Sequence, residues 1–189
     1  AGTLGGNLGT SSPAGDGLPV LAALDATVTL VSATHSRSVP VTDFMVGVKR
    51  TLLQPGEMIT EVTVPVVDGV QGYAKVGVRN AMVIAVASVA LVVDRSNQQV
   101  GVALGSVGPT VLRCPEAESL LAESIDWATL TAPAAVLDRF GLAVSDASRP
   151  ITDHRSTADY RRHAVGVLSK RLARRAATPR GAQPGEITS

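Results

Sequence analysis

Residues 1–19 read AGTLGGNLGTSSPAGDGLP, and this run decides how the rest of the chain is interpreted. Its glycines are interspersed with threonine, asparagine and serine, and the run closes around Asp16. Clustered glycines let a backbone turn through positive φ and approach a ligand closely. The amides of such a turn can surround a phosphate, and a carboxylate can accept hydrogen bonds from sugar hydroxyls. The run therefore predicts a phosphate-binding turn.

Taken alone, the run does not identify a site. A cluster of Gly, Ser, Thr and Asn at a chain end is also typical of a floppy terminus. The run lacks the lysine of a Walker loop, and its glycines do not have the G-x-G-x-x-G spacing. The interpretation therefore depends on motifs elsewhere in the chain.

The composition indicates a globular chain with a packed core. Its 189 residues suffice for one domain or two small ones, and 45% are hydrophobic. Aromatic residues make up only 3%, so stacking platforms for nucleic-acid bases are not expected. No apolar run reaches the roughly 20 residues of a membrane span. The single cysteine, Cys114, allows no internal disulfide, and a chain without disulfides is typical of the reducing cytoplasm. Cys114 itself is expected to be a packing residue.

Positive charge is concentrated near the C-terminus. Residues 1–150 carry 9 Lys and Arg against 13 Asp and Glu, whereas residues 151–189 carry 8 against 3. We interpret the basic segment as the solvated face of a helix, with cations near its C-terminal end. Nucleic-acid binding is not predicted; docking against a partner subunit is the better functional alternative. The cations of this face are Arg161, Arg162, Lys170, Arg171, Arg174 and Arg175.

Hydrophobic periodicity predicts an α+β fold. Alternating residues predict strands at 26–32, 38–42 and 58–64, with a turn at Gln54-Pro-Gly56. Three further strands, at 73–79, 83–93 and 100–104, predict a three-stranded antiparallel sheet. Helices are expected from Pro115, over 132–142 and over 157–176, the last with Ser156 and Asp159 at capping-box spacing. Residues 177–189 are expected to be disordered.

Four blocks, in order along the chain, resemble the FAD-binding (medium) subunits of the molybdenum hydroxylases, the group of xanthine dehydrogenase and carbon monoxide dehydrogenase. The first is TLGGN at 3–7 with SPAGD at 12–16, and the second runs from LLQPGE at 52–57 to VTVP at 62–65. The third is KVGVRN at 75–80 with MVIA at 82–85, and the fourth is DHRSTADYRR at 153–162. Together the blocks span nearly the whole chain.

The resemblance implies a domain organisation. Residues 1–68 would be the β-rich end of a PCMH-type FAD-binding domain, and residues 69–176 the C-terminal α+β domain, followed by the tail 177–189. Subunits of this family begin with a further subdomain whose own Gly-rich loop contacts the flavin. The present chain opens at the second such loop, so as an N-terminally truncated fragment it is expected to bind FAD poorly and to be inactive alone.

The resemblance also implies the residues that contact FAD. Thr3, Leu4, Gly5, Gly6 and Asn7 would lie at the pyrophosphate. Further contacts would come from Thr10, Ser12 and Asp16 to the ribose or ribityl groups, from Ile59 as an apolar contact, and from Lys75 near the flavin. Residues 82–84 would form a loop over the isoalloxazine face. No metal ligand is predicted, because His35, His154 and His163 lack metal-binding spacing. No catalytic residue is predicted either.

The function implied by the resemblance is electron transfer within an oxidoreductase complex. Electrons released at a molybdopterin-binding large subunit would pass through iron–sulfur clusters of a small subunit to FAD, and then to NAD or another acceptor. The chain would act as one subunit of a hetero-oligomer. The alternative is a non-catalytic scaffold or interaction domain that keeps the fold but not the flavin.

Overall fold

A computed structural model describes residues 2–80 and 82–177. The predicted disorder of the tail therefore falls almost entirely outside the described residues. The helices are α1 Leu4–Thr10, α2 Gly17–Ala23, α3 Val41–Phe44, α4 Pro115–Ser124, α5 Ala134–Ala147 and α6 Ala158–Ala176. The strands are β1 Thr27–Val31, β2 Ser36–Pro40, β3 Met45–Gly47, β4 Arg50–Thr51, β5 Met58–Thr63, β6 Gly69–Val76, β7 Ala87–Asp94, β8 Gln99–Gly105 and β9 Leu112–Arg113.

The strands form antiparallel sheets, which confirms the α+β class. In the described residues the sheet orders are β2-β1-β5, β3-β4 and β6-β7-β8-β9. The three strands predicted for the second half are present, and the two-residue β9 adds a fourth.

The Gly-rich run is a helix rather than a turn with positive φ. Thr3 is the N-cap of α1: its Oγ1 accepts from the amide of Gly6 at 3.0 Å, and its carbonyl accepts from the amide of Asn7 at 3.0 Å. The helix ends at Ser11, whose φ of 45° is left-handed, while no glycine of residues 2–17 has positive φ. The prediction for these glycines was wrong because a capped helical turn supplies the backbone hydrogen bonds that an open turn would leave unmade.

The first sheet follows the predicted alternation closely. On β1, Val28 and Leu30 are fully buried while their neighbours are half-exposed. The second predicted strand ends two residues early, at Pro40, because the buried Val41 and Phe44 turn into the core on α3. Gly56 has φ of 83° in the predicted turn before β5, a conformation that favours glycine.

The four-stranded sheet is covered on both faces. Every residue of β7 is buried. Val89, Leu91 and Val93 belong to a core shared with α4, α5 and α6, whereas Ala90 and Val92 belong to a second core that contains α2. Burial on both faces explains why this strand has a near-continuous apolar sequence.

Side chains on β8 differ in size between the two faces. Val102 and Leu104 face the α4–α6 core, and Ala103 faces the core that contains α2. A Cβ at Gly101 would overlap the carbonyl oxygen of Ala23, at the end of α2. Small residues on this face therefore let α2 lie directly against the sheet.

Helix α6 differs from prediction in two details. The side chain that caps it is Thr157, whose Oγ1 accepts from the amide of Tyr160 at 3.2 Å, so the capping residue is one position later than Ser156. Arg161 is only 3% exposed instead of lying on the solvated face. Its guanidinium donates to the carbonyls of Val86 at 3.1 Å and Ser106 at 2.8 Å, at the ends of β7 and β8. The other arginines of the basic face, Arg162, Arg171, Arg174 and Arg175, are exposed.

Burial of Cys114 confirms its structural role. The side chain lies in the α4–α6 core, and burial raises the pKa of its thiol to about 12. At neutral pH the reactive thiolate is therefore scarcely populated. No helix within residues 2–80 and 82–177 is long and apolar enough to cross a bilayer.

Candidate functional site

The first turn of α1 presents an open stretch of backbone. Residues 3–6 are exposed. The first four amides of any α-helix have no partner inside the helix. Thr3 satisfies those of Gly6 and Asn7, which leaves the amides of Leu4 and Gly5 without an acceptor within the helix. An ideal Cβ at Gly5 would meet no atom within 4 Å. An anionic ligand can therefore approach this backbone directly.

Asn7 joins α1 to the start of α2. Its Oδ1 accepts from the amide of Gly17 at 3.2 Å. Leu4 lies on the same side of α1, since a Cβ at Gly17 would be 3.6 Å from Leu4 Cδ1. The amide oxygen of Asn7 thus fixes the position of α1 relative to Asp16, the residue that precedes α2.

Asp16 accepts hydrogen bonds from two side chains of β6. The hydroxyl of Tyr73 donates to Asp16 Oδ1 at 2.8 Å, and the ammonium of Lys75 donates to Oδ2. Lys75 also donates to the carbonyl of Val83 at 3.1 Å. The Asp16 side chain remains 48% exposed, so its carboxylate can accept further hydrogen bonds from a ligand.

Tyr73 is the site residue that sequence reasoning missed. Burial, followed by the hydrogen bond to Asp16, raises the pKa of the Tyr73 hydroxyl above its usual range. The hydroxyl therefore stays protonated and acts as a donor. Tyr73 and Lys75 are two residues apart on one strand, so their side chains share a face of the sheet. That spacing was the signal that could have found Tyr73.

The loop after β6 places apolar side chains beside Lys75. Arg79 Nη2 donates to the carbonyl of Met82 at 2.7 Å, and Lys75 binds the next carbonyl, that of Val83. Met82 is 94% exposed, and Ile84 is also exposed. Two cations thus anchor the loop backbone, and its apolar side chains are available to cover a planar group.

The remaining predicted residues lie apart from this cluster. Ile59 is half-buried on β5, near Gly9 of α1, and Thr10 is exposed at the end of α1. Ser12 accepts from the amide of Ala14 at 3.4 Å. The structure therefore brings Leu4, Asn7, Asp16 and Lys75 together, with Ile59 behind α1, and leaves Thr10 and Ser12 outside the cluster.

Comparison with known proteins gives two family matches. Residues 1–67 match the FAD binding domain in molybdopterin dehydrogenase, and residues 73–176 match the CO dehydrogenase flavoprotein C-terminal domain. The glyceraldehyde dehydrogenase medium chain of Sulfolobus acidocaldarius is 35% identical over 172 residues, which cover 89% of this chain and 59% of the relative. The carbon monoxide dehydrogenase medium chain of Afipia carboxidovorans is 29% identical, over 93% of this chain and 60% of the relative.

Solved structures agree with these matches. Carbon monoxide dehydrogenase from Hydrogenophaga pseudoflava superposes with a TM-score of 0.82 at 28% identity, covering 93% of this chain and 60% of that one. The chain therefore spans about 60% of the length of these relatives.

Proposed function

This chain belongs to the family of FAD-binding flavoprotein subunits of the molybdenum hydroxylases, and from that premise we propose that it binds FAD at the cluster formed by α1, Asp16 and Lys75. When bound, FAD supplies reversible electron transfer, and the protein sets its position and potential. The observation that carries the proposal is the meeting of Asp16 with Tyr73 and Lys75 beside the open first turn of α1.

The residues present fit the two chemical ends of such a cofactor. The open amides of Leu4 and Gly5, with Thr3, Gly6 and Asn7 around them, form the pyrophosphate end of the proposed site. Backbone N–H groups and hydroxyls are suitable donors for phosphate oxygens. Asp16 offers an exposed carboxylate to ribose or ribityl hydroxyls, and Tyr73 and Lys75 fix its orientation.

Lys75 and the loop after it form the flavin end of the proposed site. The ammonium of Lys75 places positive charge where negative charge would develop on a reduced flavin, and so favours reduction. The exposed Met82 and Ile84 would cover the ring face. Ile59 would add an apolar contact from β5, and Thr10 and Ser12 would contribute polar contacts at the edge of the site.

We further propose that the chain works as the medium subunit of a cytoplasmic hetero-oligomer. Its partners would be an iron–sulfur small subunit, which delivers electrons, and a molybdopterin-binding large subunit. The final acceptor would be NAD or another oxidant. Residues 1–68 would form the FAD-binding part and residues 69–176 the C-terminal domain. The names of the relatives, which include medium chains of two dehydrogenases, support this assignment.

FAD retention by matched variants tests the site. Asp16→Asn removes one exposed Asp–Lys pair, and Asp138→Asn removes a similar exposed pair, with Lys170, far along the sequence. The protein is purified together with its partner subunits, and FAD affinity is measured by titrating FAD into protein from which flavin has been removed. We expect Asp16→Asn to weaken binding about 10- to 100-fold, the loss of a hydrogen bond to a charged group, and Asp138→Asn to leave it unchanged.

Two results would overturn the proposal at different levels. Equal FAD affinity in the two variants would show that Asp16 is not part of the site. A colourless assembly that takes up no added FAD would favour the alternative function, a scaffold that keeps the fold without the flavin.

A further inference from the structure

A separate cavity lies between the loop after α1 and the segment that leads into α6. Its volume is about 390 Å³, which is within the range of small-molecule pockets. Of the residues proposed to contact FAD, only Ser12 lines it, and Asp16, Ile59 and Lys75 do not, so the cavity adjoins the proposed FAD site at its edge. The lining is made by residues 12–14, 48–49, 106, 108–109, 149, 151, 153, 155 and 161.

The charge of the lining is strongly positive. Four cations, Lys49, Arg149, Arg155 and Arg161, face one carboxylate, Asp153. Asp153 already accepts from Arg161 at 2.6 Å and lies 3.7 Å from Arg155. The lining therefore has a formal charge of +3, the difference between its four cations and its one anion.

Two of the cations have no carboxylate partner within the part of the chain that the structure describes. Arg149 donates to the backbone carbonyls of Asp146 and Ser148. Those bonds hold the guanidinium in place without cancelling its charge. No ion pair of Lys49 occurs among the described residues. An anion is the ligand that this charge distribution selects.

The backbone under Lys49 is held in an uncommon conformation. Lys49 has φ of 53°, a left-handed value that is unfavourable for a lysine, and its amide donates to the carbonyl of Ser11 at 3.1 Å. The bond fixes this lysine at the cavity against its local preference. Lys49 is the second residue of the two-residue turn between β3 and β4, a position that can take a positive φ.

Hydrogen-bonding capacity remains unused in and beside the wall. Within the described residues, the buried Nε of Arg161 has no hydrogen-bond partner, although the side chain is only 4% exposed. The buried hydroxyl of Ser11, next to the lining Ser12, also has none. Unpaired buried polar groups are rare in folded proteins and each calls for an explanation.

The rest of the lining is apolar. Pro13, Ala14, Val48, Pro109 and Ile151 contribute hydrocarbon surface, and Ile151 is 70% exposed. An inorganic anion would leave this surface in contact with water, and a neutral apolar molecule would leave the cations unpaired. A carboxylate with an apolar body satisfies both parts of the wall.

We propose that this cavity binds a small organic carboxylate, with the carboxylate at Lys49 and Arg149 and the apolar body against Val48, Pro109 and Ile151. The proposal goes beyond the FAD-binding function and does not depend on it. Because the charges are partly exposed, affinity should fall as salt screens them.

Titration of the full-length subunit with benzoate, followed by the chemical shifts of its backbone amides, tests the site. We expect saturable binding with a Kd of about 1 mM, typical of a small ligand held by a few contacts, with shifts at residues 12–14, 49, 109 and 149. Benzyl alcohol lacks the charge-assisted hydrogen bonds, and inorganic phosphate lacks the apolar contact with the wall. Each should bind at least about tenfold more weakly.

A matched pair of charge variants completes the test. Arg149→Gln should weaken benzoate binding about fivefold or more. Arg95→Gln removes an exposed arginine at the opposite end of the β7–β8 hairpin and should leave affinity unchanged. Phosphate binding as tight as benzoate, equal effects of the two substitutions, or shifts confined to other residues would each overturn the proposal.

Discussion

On one face of the four-stranded sheet, every valine and leucine of β7 and β8 except Val92 packs against α4, α5 and α6. On the other face, Ala90, Ala103 and the surface over Gly101 pack against α2. We call these the three-helix face and the α2 face. Large side chains bury more apolar area per residue on the three-helix face, whereas small ones let the α2 backbone approach the sheet.

Polar contacts also hold helices on both faces; on the three-helix face, Arg161 of α6 donates to the carbonyls of Val86 and Ser106. Helix α2 is attached to the sheet near both of its ends: Asp16 binds Tyr73 and Lys75 at the start, and the guanidinium of Arg113 donates to the carbonyl of Ala22 at 2.7 Å near the end. Polar contacts have geometric requirements that apolar packing lacks. Polar contacts therefore position helices on both faces, and those of the α2 face hold the residues of the candidate site.

The largest expected effect is the loss of stability when a large side chain is removed from the core of the three-helix face. Phe140 on α5 is fully buried in that core. Phe140→Ala should lower the free energy of unfolding by about 3–5 kcal/mol, through lost transfer energy and the cavity left behind. Urea denaturation measures it. The control Leu142→Ala changes an exposed residue of the same helix and should stay within about 0.5 kcal/mol; a loss below about 1 kcal/mol for Phe140→Ala would contradict the assignment of this core.

A smaller loss of stability is expected when a side-chain atom is added on the α2 face. Gly101→Ala puts a Cβ against the backbone of Ala23, which cannot rotate away, so α2 must shift. We expect a loss of about 1–3 kcal/mol, typical of overpacking. Hydrogen exchange should be accelerated most at the amides of α2, and less on α5.

The matched control is Gly9→Ala on α1. Its nearest atom to an added Cβ, Ile59 Cδ1, is 4.0 Å away, which is ordinary contact. Replacing glycine inside a helix should then raise stability by about 0.5–1 kcal/mol. If Gly101→Ala were as well tolerated as Gly9→Ala, close approach of α2 to the sheet would not be a requirement of the fold.

The smallest expected effect is a pH dependence of stability, and it comes from Glu57 in the first half of the chain. Glu57, just before β5, accepts from Arg37 Nε at 2.7 Å and Nη2 at 2.9 Å and from the amide of Gln54 at 2.8 Å. These bonds, that to Arg37 foremost, lower the pKa of Glu57 from 4.5 to about 2. A carboxyl with a lowered folded-state pKa stabilises the fold fully above pH 4.5, and this stabilisation is lost as pH falls towards 2.

Thermal denaturation between pH 6 and about pH 2 measures this effect, and Glu57→Gln isolates it. Asp153 has a lowered pKa through hydrogen bonds from the amide of Arg155 and from Arg161, so part of the acid sensitivity will persist in the variant. The difference between wild type and Glu57→Gln should shrink as pH falls. A difference that is constant with pH would exclude titration of Glu57.

Much of the fold could be predicted because its signals are local. The alternation in β1 and β5, and the continuous apolar run of β7, reflect directly which faces are buried. The class, the family and the cofactor were also predicted correctly. The assignment of individual contacts to FAD stays a prediction.

The predictions that failed concern interactions that single-sequence patterns do not encode. Helix α1 has only seven residues, three of them glycine, and forms around the cap at Thr3. Arg161 lies in a basic run that is typical of solvated helices, but its partners are carbonyls about 55 and 75 residues away in sequence. Tyr73 belongs to the site because its hydroxyl donates to Asp16, which lies 57 residues earlier in the sequence. Such long-range partners become visible only when the elements are packed.

The contact between Asp16 and Lys75 couples two equilibria: binding of a ligand at the site and packing of α2 on the four-stranded sheet. Asp16 precedes α2, and Lys75 belongs to β6, so the pair exists only while α2 is seated on the sheet. A ligand that binds the seated arrangement more tightly than the loosened one shifts the population towards it, by no more than that difference in affinity. The same free energy then appears twice, as tighter binding in a well-packed protein and as a higher unfolding temperature in an occupied one.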